Sequence, residues 1–237
     1  MKKRDVIIAC DFEDRDTLLR FLDIFPEGEK PFVKIGMELY YSEGPDIVRE
    51  IRGRNHDVFL DLKLHDIPNT VMSAMRIIAG LDIQITNIHA STNQMMKAAL
   101  EGLKGGSSKN DTLLIAVTQL TSTSEDSLKQ ELLIDYSMEE TIKLYAKRAS
   151  DVGLAGVVCS PLETVMVKQA CGDRFITVTP GIRYESSVVN DDQSRITTPS
   201  DAWKLGCDYI VVGRPITRVE DPLKAYRKVV NDFSGGI

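Results

Sequence analysis

The chain has 237 residues, 43% of them hydrophobic and 27% charged, enough to bury a barrel-sized core, and nothing in this composition suggests disorder. Its formal net charge is −6, and no basic cluster is interleaved with aromatics, so nucleic-acid binding is disfavoured while a small anionic substrate needs only a local positive site. The four cysteines include no Cys-x-x-Cys pair, no apolar run reaches membrane-span length, and the apolar run after Met1-Lys2-Lys3-Arg4 ends too soon, at Asp11, for a signal peptide. Reduced thiols, no membrane and a cytoplasmic location are expected.

Short apolar runs alternate with helical patterns along the whole chain. Residues 6–11 read as the first strand, followed by helical spacing in Thr17, Leu18, Leu19, Phe21, Leu22 and Phe25. Strand two covers 32–36, and Gly44-Pro45 opens a helix carrying Ile47, Val48 and Ile51. The third strand, 58–64, is unusual: alternation sets Asp61 and Lys63 on one face and Leu62 and Leu64 on the other. Asp66 lies past its end, and Pro68 suits the first turn of a helix over 70–79. Taken alone, this stretch also reads as an ordinary ion pair with Asp66 as a helix N-cap.

Strand four spans 85–90 and leads to a helix ending at Gly105-Gly106; strand five, 113–120, leads to a helix over 138–149. Strand six, 156–160, passes into a helix capped by Ser160-Pro161; strand seven, 175–182, precedes one capped by Thr198-Pro199; strand eight, 209–213, precedes one opened by Asp221-Pro222. Eight βα units, with no glycine in the first turn Cys10-Asp11-Phe12-Glu13 and no internal linker, predict a single (β/α)₈ barrel domain over 1–237.

Active sites of such barrels lie at the carboxyl ends of the strands. The polar residues there are Asp11, Lys34, Asp61, Lys63, Asn87, His89, Thr118, Thr121, Arg183 and Arg214. One such residue is usually structural, but two lysines and two aspartates on three adjacent strands are costly to bury without a purpose. Residues 183–197, polar and aperiodic, fit either a mobile lid or a plain solvated loop. Gly213-Arg214 offers close backbone approach and a forked donor, as a phosphate requires.

These stretches resemble the orotidine 5′-phosphate decarboxylase family in its short single-domain form. The resemblance is carried by Phe32-Val33-Lys34-Ile35-Gly36-Met37-Glu38, by 61–70, by 116–123, by Thr179-Pro180-Gly181-Ile182-Arg183 and by Val211-Val212-Gly213-Arg214. The Asp-x-Lys-x-x-Asp core is shared with magnesium-using sugar-phosphate decarboxylases; those are expected to have an acidic residue near position 34, so Lys34 argues against a metal. The resemblance implies conversion of orotidine 5′-phosphate to uridine 5′-phosphate in pyrimidine biosynthesis, with no cofactor and with Lys63 protonating C6. It gives Asp11 and Lys34 the ribose hydroxyls, and makes Lys34, Asp61, Lys63 and Asp66 an alternating charge network. Asp66, Ile67 and Thr70 would cross a homodimer interface, Thr121 would meet the pyrimidine edge, Pro180 would line the substrate site, and Arg183, Gln193, Gly213 and Arg214 would hold the phosphate. Two alternatives stay open on the residues alone, a magnesium-dependent 3-keto-sugar-phosphate decarboxylase and a catalytically silent nucleotide-binding barrel.

Overall fold

The computed structural model describes residues 4–106, 111–184 and 197–235. Eight parallel strands close into a barrel in sequence order, β8 pairing with β1 through Ile7 opposite Val211 and Ile8 opposite Val212. They are β1 (Asp5–Ala9), β2 (Phe32–Ile35), β3 (Val58–Leu64), β4 (Ile85–His89), β5 (Leu113–Val117), β6 (Gly156–Val158), β7 (Ile176–Thr179) and β8 (Tyr209–Val212). Parallel strands covered on both faces read as near-continuous apolar runs, which is why each announced itself. Several end sooner than their apolar runs: Thr118 to Leu120 lie past the end of β5, and Ser160 is the cap of the 3₁₀ segment that follows β6.

Helices wrap the outside: α1 (Arg15–Leu22), α2 (Met37–Glu43), α3 (Pro45–Gly53), α4 (Pro68–Ala79), α5 (Asn93–Lys104), α6 (Glu125–Gln130), α7 (Met138–Val152), α8 (Thr164–Cys171), α9 (Pro199–Lys204), α10 (Arg214–Thr217) and α11 (Pro222–Phe233), with a 3₁₀ turn at Pro161–Glu163. Proline opens α3, α4, α9 and α11, where its missing N–H costs nothing. Side-chain caps hold other starts: Asp14 accepts the Thr17 N–H, and Ser137 with Glu140 forms a capping box on α7. No helix among the described residues is long and apolar enough to cross a membrane.

Two apolar clusters result. Ile7, Ala9, Phe32, Phe59, Ile85, Ile115, Ile176, Val178 and Val211 fill the barrel, while the opposite faces of the strands pack on helices through Ile8, Val33, Leu60, Leu62, Met75 and Ile210. Burying each large side chain stabilises the fold by roughly 1.5–3 kcal/mol. Above the inner cluster the same inward positions turn polar, as Phe32 is followed by Lys34, Phe59 by Asp61 and Ile85 by Asn87. The floor of the site is thus dry and rigid.

Candidate active site

Lys34 and Asp61 are each only 8% exposed, at the carboxyl ends of β2 and β3. The Lys34 ammonium donates to Asp11 Oδ1 at 2.8 Å and stands 3.6 Å from Asp61 Oδ2. Gly36 leaves room for this pair: a Cβ there would lie 3.0 Å from both Asp11 Oδ1 and Lys34 Nζ. On the far side of Asp61, Oδ1 accepts from Lys63 Nζ at 2.7 Å and from Asn87 Nδ2 at 2.7 Å. The order across the mouth is Asp11, Lys34, Asp61, Lys63, with signs alternating.

Such a chain of charges fixes protonation states. Burial pushes the Asp61 carboxyl up, but Lys34, Lys63 and the hydrogen bonds from Lys63 and Asn87 outweigh it and hold the group below its ordinary value. Burial pulls the Lys34 ammonium down, yet Asp61 and Asp11 carry it above the usual lysine value. Both therefore stay charged at neutral pH. Beside them burial, His65 and Lys63 hold His89 below the usual histidine value, so that ring is neutral.

β3 departs from a regular strand where it carries these residues. Leu60 pairs with Thr86 but Leu64 with Ile88, so the register shifts between them, and Lys63 takes a left-handed φ of 51°. A non-glycine residue in that region is strained by roughly 1–2 kcal/mol. Sequence alternation placed Lys63 on the inner face but gave no sign of this bulge.

Two adjoining cavities open above the charges. One, of about 240 Å³, is lined by Lys34, Asp61 and Lys63 together with Gln119, Thr121 and Pro180. The other, of about 290 Å³, is lined by Asp11, Lys34, Pro180, Arg183, Gly213 and Arg214, and also by Arg218, a cation the sequence reading passed over. Lys34 and Pro180 belong to both, so one elongated ligand can lie across them. Its anionic end would meet arginines and its other end Lys63. Gly213 sits at the start of α10 with Ala9 Cβ only 3.4 Å from where its own Cβ would be, so that wall is close-packed.

The remaining expected residues are placed differently. Asp66, Ile67 and Thr70 are exposed on the turn into α4 and the first turn of the helix, and Ile67 is 67% exposed. Asp66 Oδ1 accepts the Ile67 N–H at 2.6 Å, and Ile67 is the N-cap without a side-chain cap bond, so Asp66 does not cap α4. Gln193, with most of the expected lid, lies outside the described residues.

Two features show by contrast what makes the mouth distinctive. A larger depression of about 570 Å³ between α6, α7 and α8 is lined by Glu125, Glu139 and Glu163 without a cation to meet an anion. A second buried ion pair, Lys168 with Asp208, joins α8 to the amino end of β8; Asp208 also accepts the Thr177 N–H at 2.8 Å, and Lys168 donates to Phe175 O at 2.7 Å. That pair is saturated, lies at the opposite end of the barrel and serves the fold.

Residues 4–229 match the family model described as orotidine 5′-phosphate decarboxylase / HUMPS. A relative from Bacillus cereus (strain Q1) named orotidine 5′-phosphate decarboxylase is 52% identical over 235 residues, covering 98% of each chain, and one of the same name from Bacillus cytotoxicus is equally similar. Among solved structures, orotidine 5′-phosphate decarboxylase from Lactobacillus acidophilus superposes with a TM-score of 0.88 at 39% identity, covering 98% of this chain and 99% of that one. An uncharacterized conserved protein from Geobacillus kaustophilus gives 0.85 at 44% identity, covering 96% and 99%.

Proposed function

The chain belongs to the orotidine 5′-phosphate decarboxylase / HUMPS family and is a carboxy-lyase of pyrimidine biosynthesis, and we propose that it converts orotidine 5′-phosphate to uridine 5′-phosphate without metal or cofactor, Lys63 supplying the proton. The C6–carboxylate bond breaks, CO₂ departs and the electron pair stays on C6. That pair lies in the ring plane, outside the π-system, so the protein has to stabilise it electrostatically. The Lys63 ammonium attracts the developing charge, gives its proton to C6 and is then reprotonated from solvent.

The observation that carries this reading is the buried carboxylate of Asp61 holding Lys63 at 2.7 Å beneath the cavity. An ammonium already paired is aimed, with no reorganisation needed during reaction. Lys34 supports the metal-free form, because its ammonium stands between the carboxylates of Asp11 and Asp61, where a metal ion would otherwise sit, and pairs with both. In the pose the two cavities support, the ribose lies against Asp11 and Lys34, the pyrimidine edge against Thr121, and the phosphate against Arg183, Gly213 and Arg214.

A single charge pair with an effective dielectric near 20 supplies roughly 4 kcal/mol, on the order of a thousandfold in rate. The rest has to come from preorganisation and from binding energy of the ribose and phosphate realised in the transition state. We propose further that the enzyme is a cytoplasmic homodimer, Asp66, Ile67 and Thr70 of each subunit completing its partner's site. Their exposure within a single chain supports the shared site, and four free cysteines support a reducing compartment.

Loss of orotidine 5′-phosphate absorbance on adding the purified protein tests the reaction, and excess chelator tests its metal independence. Turnover at an undiminished rate with chelator is expected. Binding of the nucleotide without turnover would overturn the catalytic assignment, and loss of rate with chelator, restored by magnesium, would overturn the metal-free one.

A further inference from the structure

The reaction as proposed leaves Asn87 without a part, although its side chain is fully buried at the centre of the charged cluster. Asn87 occupies the middle of β4, between Thr86, paired with Leu60, and Ile88, paired with Leu64. Across that interval β3 takes four residue steps and β4 only two, so the backbone ladder cannot continue. The Asn87 amide fills the break. Its Oδ1 accepts the Lys63 backbone N–H at 2.8 Å, and its Nδ2 donates to Asp61 Oδ1 at 2.7 Å.

We infer that Asn87 is a positioning residue for Lys63, replacing the missing rung of the ladder and fixing both the bulged backbone of Lys63 and the carboxylate that aims its ammonium. One end of the amide holds the strained residue in place, and the other occupies a lone pair of Asp61. Reversing the amide would set its oxygen against a carboxylate oxygen and its NH₂ against an N–H, so the two contacts specify one orientation. An apolar residue of similar size would leave a buried N–H unsatisfied and free the Lys63 backbone to move. A shift of about 1 Å at such a group can cost about a hundredfold in rate.

The inference rests on Lys63 as proton donor, and its test uses the native protein, Asn87→Ala and Asn87→Asp. The measurements are kcat and KM for orotidine 5′-phosphate and Kd for uridine 5′-phosphate. For Asn87→Ala, kcat should fall about a hundredfold while the product Kd stays within about threefold, since the groups that grip ribose and phosphate are untouched. Asn87→Asp keeps an acceptor for the Lys63 N–H but sets a second carboxyl against Asp61. Position 87 meets Asp61 and Lys63 of β3 through its two hydrogen bonds, His89 lies two residues along its own strand, and Lys34 stands one charge further on, 3.6 Å from Asp61, while β5 presents apolar Ile115 and Val117 opposite Asn87 and His89. While protonated, the introduced carboxyl can donate to Asp61 as the amide does; once ionised it repels it. The ratio of variant to native kcat should therefore fall as pH rises, which a merely structural role would not produce.

A kcat for Asn87→Ala within about threefold of native, or a product affinity lost in step with kcat, would overturn the inference. If Asn87→Ala does not fold, the pH dependence of the Asn87→Asp ratio decides alone, a falling ratio supporting the positioning role and a flat one overturning it. Absence of turnover in the native protein would overturn both this inference and the reading it rests on, and is told apart because it precedes any substitution.

Discussion

At the scale of single residues, the site consists of charges that would be costly apart and are stable together. Lys63→Ala removes the ammonium while leaving Asp61 its contacts with Lys34 at 3.6 Å and Asn87 at 2.7 Å, and alanine inherits the same backbone strain. The variant should fold and bind uridine 5′-phosphate, yet lose turnover. A retained kcat above about a hundredth of native would exclude Lys63 as the proton donor, because a positioned acid contributes about 10²–10⁴-fold. Asp61 makes a separate prediction through pH. Its carboxyl is held below the ordinary value in the folded protein, so the stability it contributes is present above the unfolded-state carboxylate pKa and is lost as pH falls through the folded value. Urea midpoints followed from neutral to acid pH should drop more steeply for native protein than for Asp61→Asn. The variant should start lower by about 3–5 kcal/mol, because it leaves the Lys34 ammonium buried with less compensation. Parallel acid limbs for the two proteins would show that Asp61 is not held as described.

At the scale of elements, what the sequence disclosed and what it hid have distinct physical causes. The strands were legible because burial on both faces makes their apolar runs continuous, and the alternation of Asp61 with Leu62 correctly separated the inner from the outer face of β3. Short helices were not: α2, α6 and α10 span two turns or fewer, too few for a 3.6-residue period to emerge. The bulge of β3 was equally hidden, since it depends on Asn87, 24 residues after Lys63, which read as one more strand-end polar residue. Arg218 went unmarked because it follows α10 rather than a strand. Helix contacts carry their own constraint. A Cβ on Gly102 of α5 would lie 2.2 Å from the Met72 carbonyl oxygen of α4, a backbone atom that can move only if the helices part. Gly102→Ala should therefore destabilise the protein by about 1–3 kcal/mol. Thermal unfolding is the measurement, since Met72 stands two residues beyond Thr70 and a shift of α4 would reach the turn that carries Asp66. An unchanged Tm would show that α4 and α5 have slack the geometry does not reveal.

At the scale of the whole molecule, the question is whether one chain holds a complete site. Asp11, Lys34, Asp61 and Lys63 converge within it, whereas Asp66, among the described residues, accepts the Ile67 N–H at 2.6 Å and shares an exposed turn with Ile67. A carboxylate meant to face the departing CO₂ from inside the same chain would be expected to point into the cavity beside Lys63, and Asp66 is not among the residues lining it. Shared sites make a prediction that separate sites do not. When Lys63→Ala and Asp66→Ala subunits are unfolded together and refolded at equal amounts, about half of the dimers are mixed by random pairing. Each mixed dimer has one site with both defects and one in which intact Lys63 of one subunit meets intact Asp66 of the other. About a quarter of native activity should then return from two inactive parents. The measurement is kcat per active mixture, with mass spectrometry under native conditions counting the mixed dimers. Mixtures that contain them and yet remain as inactive as the parents would place Asp66 in the site of its own chain, and the exposed turn at Ile67 would then have to move inward on binding substrate.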